Sequence, residues 1–314
     1  MIKSITITNH INESITFEMT SPEKSGFVIR FIDGLGSPKA NVEMTEMSLM
    51  DGAVYNSARA QSRNIVFSLM FLFPSATAGD SENQIGKLEV TRQKAYKYFP
   101  IKKRVKITIE TDERSCEVYG YVESNTPDIF SKDGGTVISI LCPDSYLFST
   151  SIFTTPFSSI NDMFEFPFSN ESLTVPLLEF SAISTFMTRT INYTGDAEIG
   201  MVMTMHAVGD VENIKIYKLE PEPVEMLEID TDRLLAMTGE GVHFGDDIII
   251  STVKGNKYAI LIRDGITINI LNCLAKYPDW IQLTRGDNIF TCVAEVGVEN
   301  LQFKIENQIA YEGI

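Results

Sequence analysis

The stretch from Arg104 to Phe148 constrains the fold most, because it carries three β-strand signals in quick succession. In Val105–Glu110 the apolar residues fall on every second position. Val105, Ile107 and Ile109 therefore share one face, and Lys106, Thr108 and Glu110 the other. Asp112-Glu113-Arg114 predicts a turn, and Glu117–Glu123 a returning strand with Val118 and Val122 on one face. Gly120 removes a side chain in mid-strand, which points to a bulge or to a close approach by another element. After Pro127 and an Asp133-Gly134-Gly135 turn, Thr136–Cys142 is apolar on both faces and predicts a covered central strand. This is antiparallel sheet, and no catalytic side chain stands in it at a recognisable spacing.

At 314 residues the chain has room for two cores of ordinary size. β-branched residues, aromatics, Gly and Pro are plentiful and long helical periodicity is scarce, so the class is mainly β. The net charge of −16 argues against a nucleic-acid-binding surface, which needs clustered Lys and Arg. Solubility accounts for that charge; an acidic lumen through which nucleic acid slides by like-charge repulsion is the sharper alternative. The four cysteines, Cys116, Cys142, Cys273 and Cys292, match no metal spacing. "MIKSITITNH" already alternates as a strand rather than reading as a signal peptide. The longest apolar run, Ile65–Phe73, is too short to span a membrane. The expectation is folding in a reducing cytoplasm, with free thiols and no membrane insertion.

Along the chain, strands are predicted around Ile5 and Ile7, over Ile15–Met19 and over Phe27–Ile32, then over Asn64–Phe73 after a polar segment from Asn56 to Arg63. Asp33–Lys39 lacks the glycine spacing of a phosphate loop and reads as a plain turn. One helix is predicted over 82–99. Ser81 and Gln84 form a capping box, Ile85, Leu88, Ala95 and Phe99 lie on one side, and Pro100 ends it. Such a helix must cover a face or an open edge of the sheet. The segment 151–176, rich in Ser, Thr, Phe and Pro, reads as a linker. Beyond it, strand signals recur about every ten residues, as in a jelly-roll sandwich. The division is thus 1–150, a linker over 151–176, and 177–314: two β-sandwich domains, the first with one packed helix.

His10, His206 and His243 stand alone in the sequence. Asp230 with Asp232, and Asp246 with Asp247, lack a calcium loop and read as turn aspartates. There is no nucleophile-elbow motif. No enzyme is expected, and no cofactor or metal. Tyr277 and Trp280 are candidates for a sugar-stacking platform, although the single Trp reads more readily as an anchor of the loop from Leu274 to Arg285.

"YGYVES" followed by a strand ending in "SILCPDSYLFS" resembles the distal tail proteins of long-tailed (siphovirus-type) bacteriophages. Gly120, Val122, Glu123, Cys142, Pro143, Asp144 and Tyr146 match the pattern, as do Val42 and Asp51-Gly52 earlier in the chain. Ser145 departs from it, standing where proline is frequent. "DWIQLTRGDNIF", with Trp280, Leu283, Gly286 and Asn288, resembles the galectin-like C-terminal domain of that family. The resemblance implies a structural virion protein assembled in the host cytoplasm. It implies a ring, hexameric in the family, joining the tail tube to the tail-tip or baseplate complex around the DNA channel. It implies as partners further copies of the chain, the tail tube protein, the tail-associated tip protein and a receptor-binding protein, with DNA only in transit. The first domain would close the ring and the second project outward. Ring contacts are expected at exposed edge strands and at Asn56, Arg59, Gln61 and Arg63. The alternative is a carbohydrate-binding host-adhesion module in residues 177–314.

Overall fold

The computed structural model describes residues 1–48, 51–72, 81–129, 134–162, 181–185 and 188–314, and the side chains of all of these except 81–87, 158–162 and 181–185. It divides into two compact units, Met1–Ser151 together with Ala310–Ile314, and Ile152–Ile309.

In the first unit the strands are β1 (Ile2–Thr8), β2 (Ser14–Glu18), β3 (Phe27–Asp33), β4 (Ala40–Glu46), β5 (Ala53–Ala60), β6 (Arg63–Phe71), β7 (Arg104–Thr111), β8 (Ser115–Asp128), β9 (Gly135–Cys142) and β10 (Leu147–Ser149), with helix α1 (Ser81–Tyr98) between β6 and β7. Seven of the strands form one antiparallel sheet in the order β2-β1-β7-β8-β9-β6-β3. Alternation fixes the register: Ile5 sits opposite Ile109 and Ile7 opposite Ile107, so a one-residue slip would turn this whole row into water. The two ends of the sheet meet where Phe17 of β2 and Phe27 of β3 touch edge to face at 5.8 Å. Helix α1 contributes Ala95 to the core; Phe99, just beyond its end, stacks on Phe17. The predicted helix and its last-turn contacts are present, while the expected capping box and Ile85 fall outside the described side chains.

Gly120 is explained by close approach. A Cβ there would lie 2.5 Å from Cγ2 of Ile140 and 2.8 Å from Sγ of Cys142 on the neighbouring strand. One expectation is corrected: β9 is central in the sheet, yet covered on one face only, since Val137 and Leu141 are 44% and 41% exposed. Apolar character on both faces marks burial by the chain itself on the inner side alone.

The second unit holds β11 (Phe153–Pro156), β12 (Ser158–Asp162), β13 (Ser181–Thr185), β14 (Thr188–Tyr193), β15 (Val202–Ala207), β16 (Ile214–Glu220), β17 (Glu225–Ile229), β18 (Asp247–Ser251), β19 (Tyr258–Arg263), β20 (Ile266–Asn269), β21 (Gly286–Val293) and β22 (Leu301–Asn307). A six-stranded sheet, β11-β22-β15-β18-β19-β20, and a four-stranded one, β14-β21-β16-β17, bury a shared core that includes Met203, Ile216, Leu261 and Phe290; β12 and β13 pair separately. The short helix α2 (Thr231–Thr238), not anticipated from the sequence, starts at Asp230, whose side chain accepts the Arg233 N–H. It ends at Gly239 in the left-handed region. Asp230 is therefore an N-cap rather than a turn aspartate.

Two sequence boundaries change. Phe153–Pro156, read as linker, is an edge strand on β22, and Phe157 is buried in the second core. The last residues, read as the end of the second domain, belong to the first unit: β23 (Ala310–Tyr311) pairs with β10, which pairs with β8, completing a nine-stranded sheet. The second unit is thus an insertion between β10 and β23.

Candidate assembly surface

Strands β4 and β5 form a two-stranded ribbon of their own, outside the large sheet. None of their fifteen residues is buried. Pairing runs Ala40↔Ala60, Val42↔Ala58 and Glu43↔Ser57, then jumps to Met44↔Tyr55, so Asn56 is an extra residue on β5. The consequence is a sorting of the faces. Ala40, Val42, Met44, Tyr55, Ala58 and Ala60 share one side, with Glu46 and Ala53 at its end; Asn41, Glu43, Thr45, Ser57 and Arg59 share the other, with Val54 opposite Thr45 as its one large apolar residue. The polar side is stitched by Asn56 Nδ2 to Thr45 Oγ1 at 2.6 Å and Ser57 Oγ to Glu43 Oε2 at 3.4 Å. The apolar side lies open, with Met44 61% and Tyr55 59% exposed. An isolated two-stranded ribbon is marginal in water, and an apolar face on one demands a partner.

The outer face of the large sheet supplies a second apolar area. Leu141 pairs with Tyr121, while Ser68 pairs with both Val137 and Phe31; Leu141, Tyr121, Val137 and Phe31 are all exposed. Ser139 Oγ meets both Asn64 Oδ1 and Glu123 Oε2, at 3.0 and 2.9 Å, in the middle of this area.

Of the four residues expected at a ring contact, Asn56, Arg59 and Gln61 are exposed, on or next to β5. Arg63 is not available to a partner. It is 3% exposed, and its five N–H groups are all spent on backbone carbonyls. Nε and Nη2 reach Ser145 O, Nη1 reaches Gly34 O and Gly36 O, and Nη2 also reaches Glu312 O, at 2.6–3.1 Å. Burial pulls its pKa down. The Pro143–Tyr146 turn of the distal-tail motif is thus held by an arginine that sequence reasoning placed on the surface.

In the second unit Tyr277 is 85% exposed, while Trp280 is part-buried against the core with Lys257 Nζ 4.8 Å from its ring. The motif residue Asn288 is fully buried and organises a turn. It accepts the Thr284 N–H at 3.0 Å and donates to Thr284 O and Gly286 O at 2.7 and 3.0 Å. Asp246, read from the sequence as a turn aspartate, is buried against Arg263, whose Nε donates to it at 2.8 Å. Burial alone would raise the Asp246 pKa; Arg263 and the His243 N–H bring it below 3.8. His206 meets Asp247 at 2.7 Å, and His243 meets Glu240 at 3.3 Å. Among the described residues no three His, Cys, Asp or Glu side chains converge as metal ligands, and no helix is long and apolar enough to cross a membrane. The four cysteines are free and buried, and burial pushes Cys142 and Cys292 up to about 12.

The charge is divided unevenly. The first unit carries 16 Lys and Arg against 19 Asp and Glu; the second carries 10 against 23. Most of the acidity therefore lies in the inserted unit.

Among solved structures, the chain is similar to the Dit protein of phage SPP1, described as a paradigm of the hub adsorption apparatus in phages that infect Gram-positive bacteria. The TM-score is 0.60 at 14% identity, covering 97% of this chain and 99% of that one. This chain has the fold of the SPP1 Dit hub protein. Looser similarity extends to chains in the activated baseplate of phage p2. With Ca the TM-score is 0.45 at 10% identity, covering 98% of each chain; with Sr it is 0.43 at 9%, covering 97% of each. No protein-family model matches the sequence. No curated protein matches it either.

Proposed function

We propose that the chain is a structural hub of a siphovirus-type phage tail, a non-enzymatic virion protein that works by assembling with copies of itself into a ring. The observation that carries this reading is the β4–β5 ribbon, fifteen residues without one buried and with an apolar face open to solvent. Such a ribbon gains its stability from association. The outer face of the large sheet, with Phe31, Tyr121, Val137 and Leu141, offers the kind of surface it needs. Ribbon and sheet face are different patches of one chain. Joining them is a heterologous contact, which closes into a ring when the rotation between copies allows it. The SPP1 Dit fold supports the hub role, and six copies are the number that the distal-tail resemblance implies.

In this reading the ring joins the tail tube to the tail-tip complex and surrounds the DNA passage. The near balance of charge in the first unit withdraws the net charge as support for an acidic lumen, because the excess carboxylates lie in the inserted unit. The adhesion alternative has less to stand on. Of the two rings expected to stack on a sugar, only Tyr277 is largely exposed.

Native mass spectrometry with negative-stain imaging of the purified chain tests the proposal. The expected result is a six-fold annulus with an open centre. Monomer alone at every concentration and ionic strength overturns it.

A further inference from the structure

The ribbon has no core, so its direction is set at its root, and the root is tied in an unusual way. The rising leg, Gly34–Lys39, leads into β4; the falling leg, Gln61–Arg63, leads out of β5. Gln61 N donates to Lys39 O across the two legs at 2.8 Å. Below that bond, Arg63 reaches Gly34 O and Gly36 O on the rising leg, Ser145 O in the turn after β9, and Glu312 O in the last residues of the sequence. Ile314 N donates to Leu35 O at 3.2 Å, and Ser37 Oγ to Glu312 Oε2 at 3.3 Å. The two backbones lie close together: a Cβ on Gly313 would be 3.0 Å from Leu35 O. The chain enters 310–314 directly from the second unit.

We propose that residues 310–314 are a latch on the assembly ribbon, with Arg63 as the positioning residue through which the strand returning from the second unit fixes the root of β4–β5. No carboxylate among the described residues pairs with Arg63, so its burial is tolerable only while all four carbonyl-bearing residues stay in place. Removing the tail takes away one acceptor and a backbone wall, and the rising leg loses its stop. In the intact chain a displacement of the returning strand is passed to the rising leg by two routes, the Arg63 guanidinium that bridges Glu312 O and Gly36 O and the backbone bond from Ile314 N to Leu35 O. The consequence for assembly rests on the ribbon being the self-association element; the latch itself does not.

Amide hydrogen exchange, read on dilute monomeric full-length chain, separates the two. The probe is the Gln61 amide at the root, with amides of β7 and β8 as internal reference. In a variant ending at Tyr311 and in Arg63→Lys, the Gln61 amide is expected to exchange about tenfold faster or more, while the reference amides change less than about twofold. Gly313→Ala, which keeps every acceptor and crowds the backbone of Leu35 and Gly36, gives the same direction with a smaller step and serves if the truncated chain does not fold. Unchanged Gln61 protection in a folded variant overturns the latch, and so does an equal rise at root and reference, which would mean general loosening of the unit. If the latch holds while the wild-type chain never assembles, the ring reading fails and the latch stands.

Discussion

Strands β5 and β6 are neighbours in the sequence, similar in length and both hydrogen-bonded, yet they live in different surroundings. Six of the nine residues of β6 are buried and none of the eight in β5. In β6 the inward residues Ile65, Phe67, Leu69 and Phe71 meet partners that the chain itself supplies. In β5 the apolar residues have only their cross-strand neighbours on β4 beside them and stay exposed. The difference shows that strand formation needs only pairing, whereas strand stability needs something to cover a face. For β6 the cover is within the unit; for β5 it must come from elsewhere.

The largest contrast should appear on truncating one side chain in β6. Phe67 is fully buried and packs against Phe99, so Phe67→Ala is expected to lower the unfolding free energy by about 3–5 kcal/mol in urea denaturation. A loss below about 1 kcal/mol would mean that this core is far less tightly packed than the contacts indicate.

How much of this contrast the sequence reveals depends on where each residue's partner sits. Val105, Ile107 and Ile109 announce their face because their partners share it strand after strand. Gly120 was readable as a point of close approach, and the motif ending at Asn288 as a turn. The ribbon was not readable. The extra residue at Asn56 breaks the period of two, and the ribbon's apolar residues are left exposed. Arg63 was misplaced for another reason: nothing local shows that a cation will be satisfied by four carbonyl-bearing residues, the farthest of them Glu312. The return of β23 to the first unit is likewise a tertiary fact. Helix α2 did leave a local trace, Asp230 as cap and Gly239 as stop.

The Asp246–Arg263 pair in the second unit sharpens the comparison with an interior that satisfies itself electrically. Asp246→Asn leaves the buried Arg263 with the exposed Glu240, 3.1 Å from Nη1, as its remaining ionic partner, an expected cost of about 3 kcal/mol at neutral pH. The sign of the pH dependence follows from the lowered carboxylate. Stability from Asp246 is present above its ordinary 3.8 and is lost as pH falls through its lower folded value, so the melting-temperature gap between wild type and variant should close in that acid range. His243 runs the other way. Its pKa is raised, first by its bond to Phe244 O and then by Glu240 and Asp246 against the opposing burial. Its contribution is therefore present below 6.5 and fades as pH rises through the folded value. A gap that stays constant from neutral pH down to full carboxylate protonation would rule out the ionised pair.

The smallest effect on folding, and the most telling one, is expected in β5. Tyr55 is 59% exposed and touches no core, so Tyr55→Ala should change the stability of the monomer by less than about 0.5 kcal/mol. The same change removes the largest side chain from the apolar side of the ribbon, and association measured by analytical ultracentrifugation should weaken sharply. Arg59→Ala, on the polar side, should leave both nearly unchanged. A Tyr55→Ala chain that still assembles like wild type would mean the open face is covered by something other than a second copy, and a chain that loses monomer stability as Phe67→Ala does would mean β5 is not the open counterpart of β6 at all.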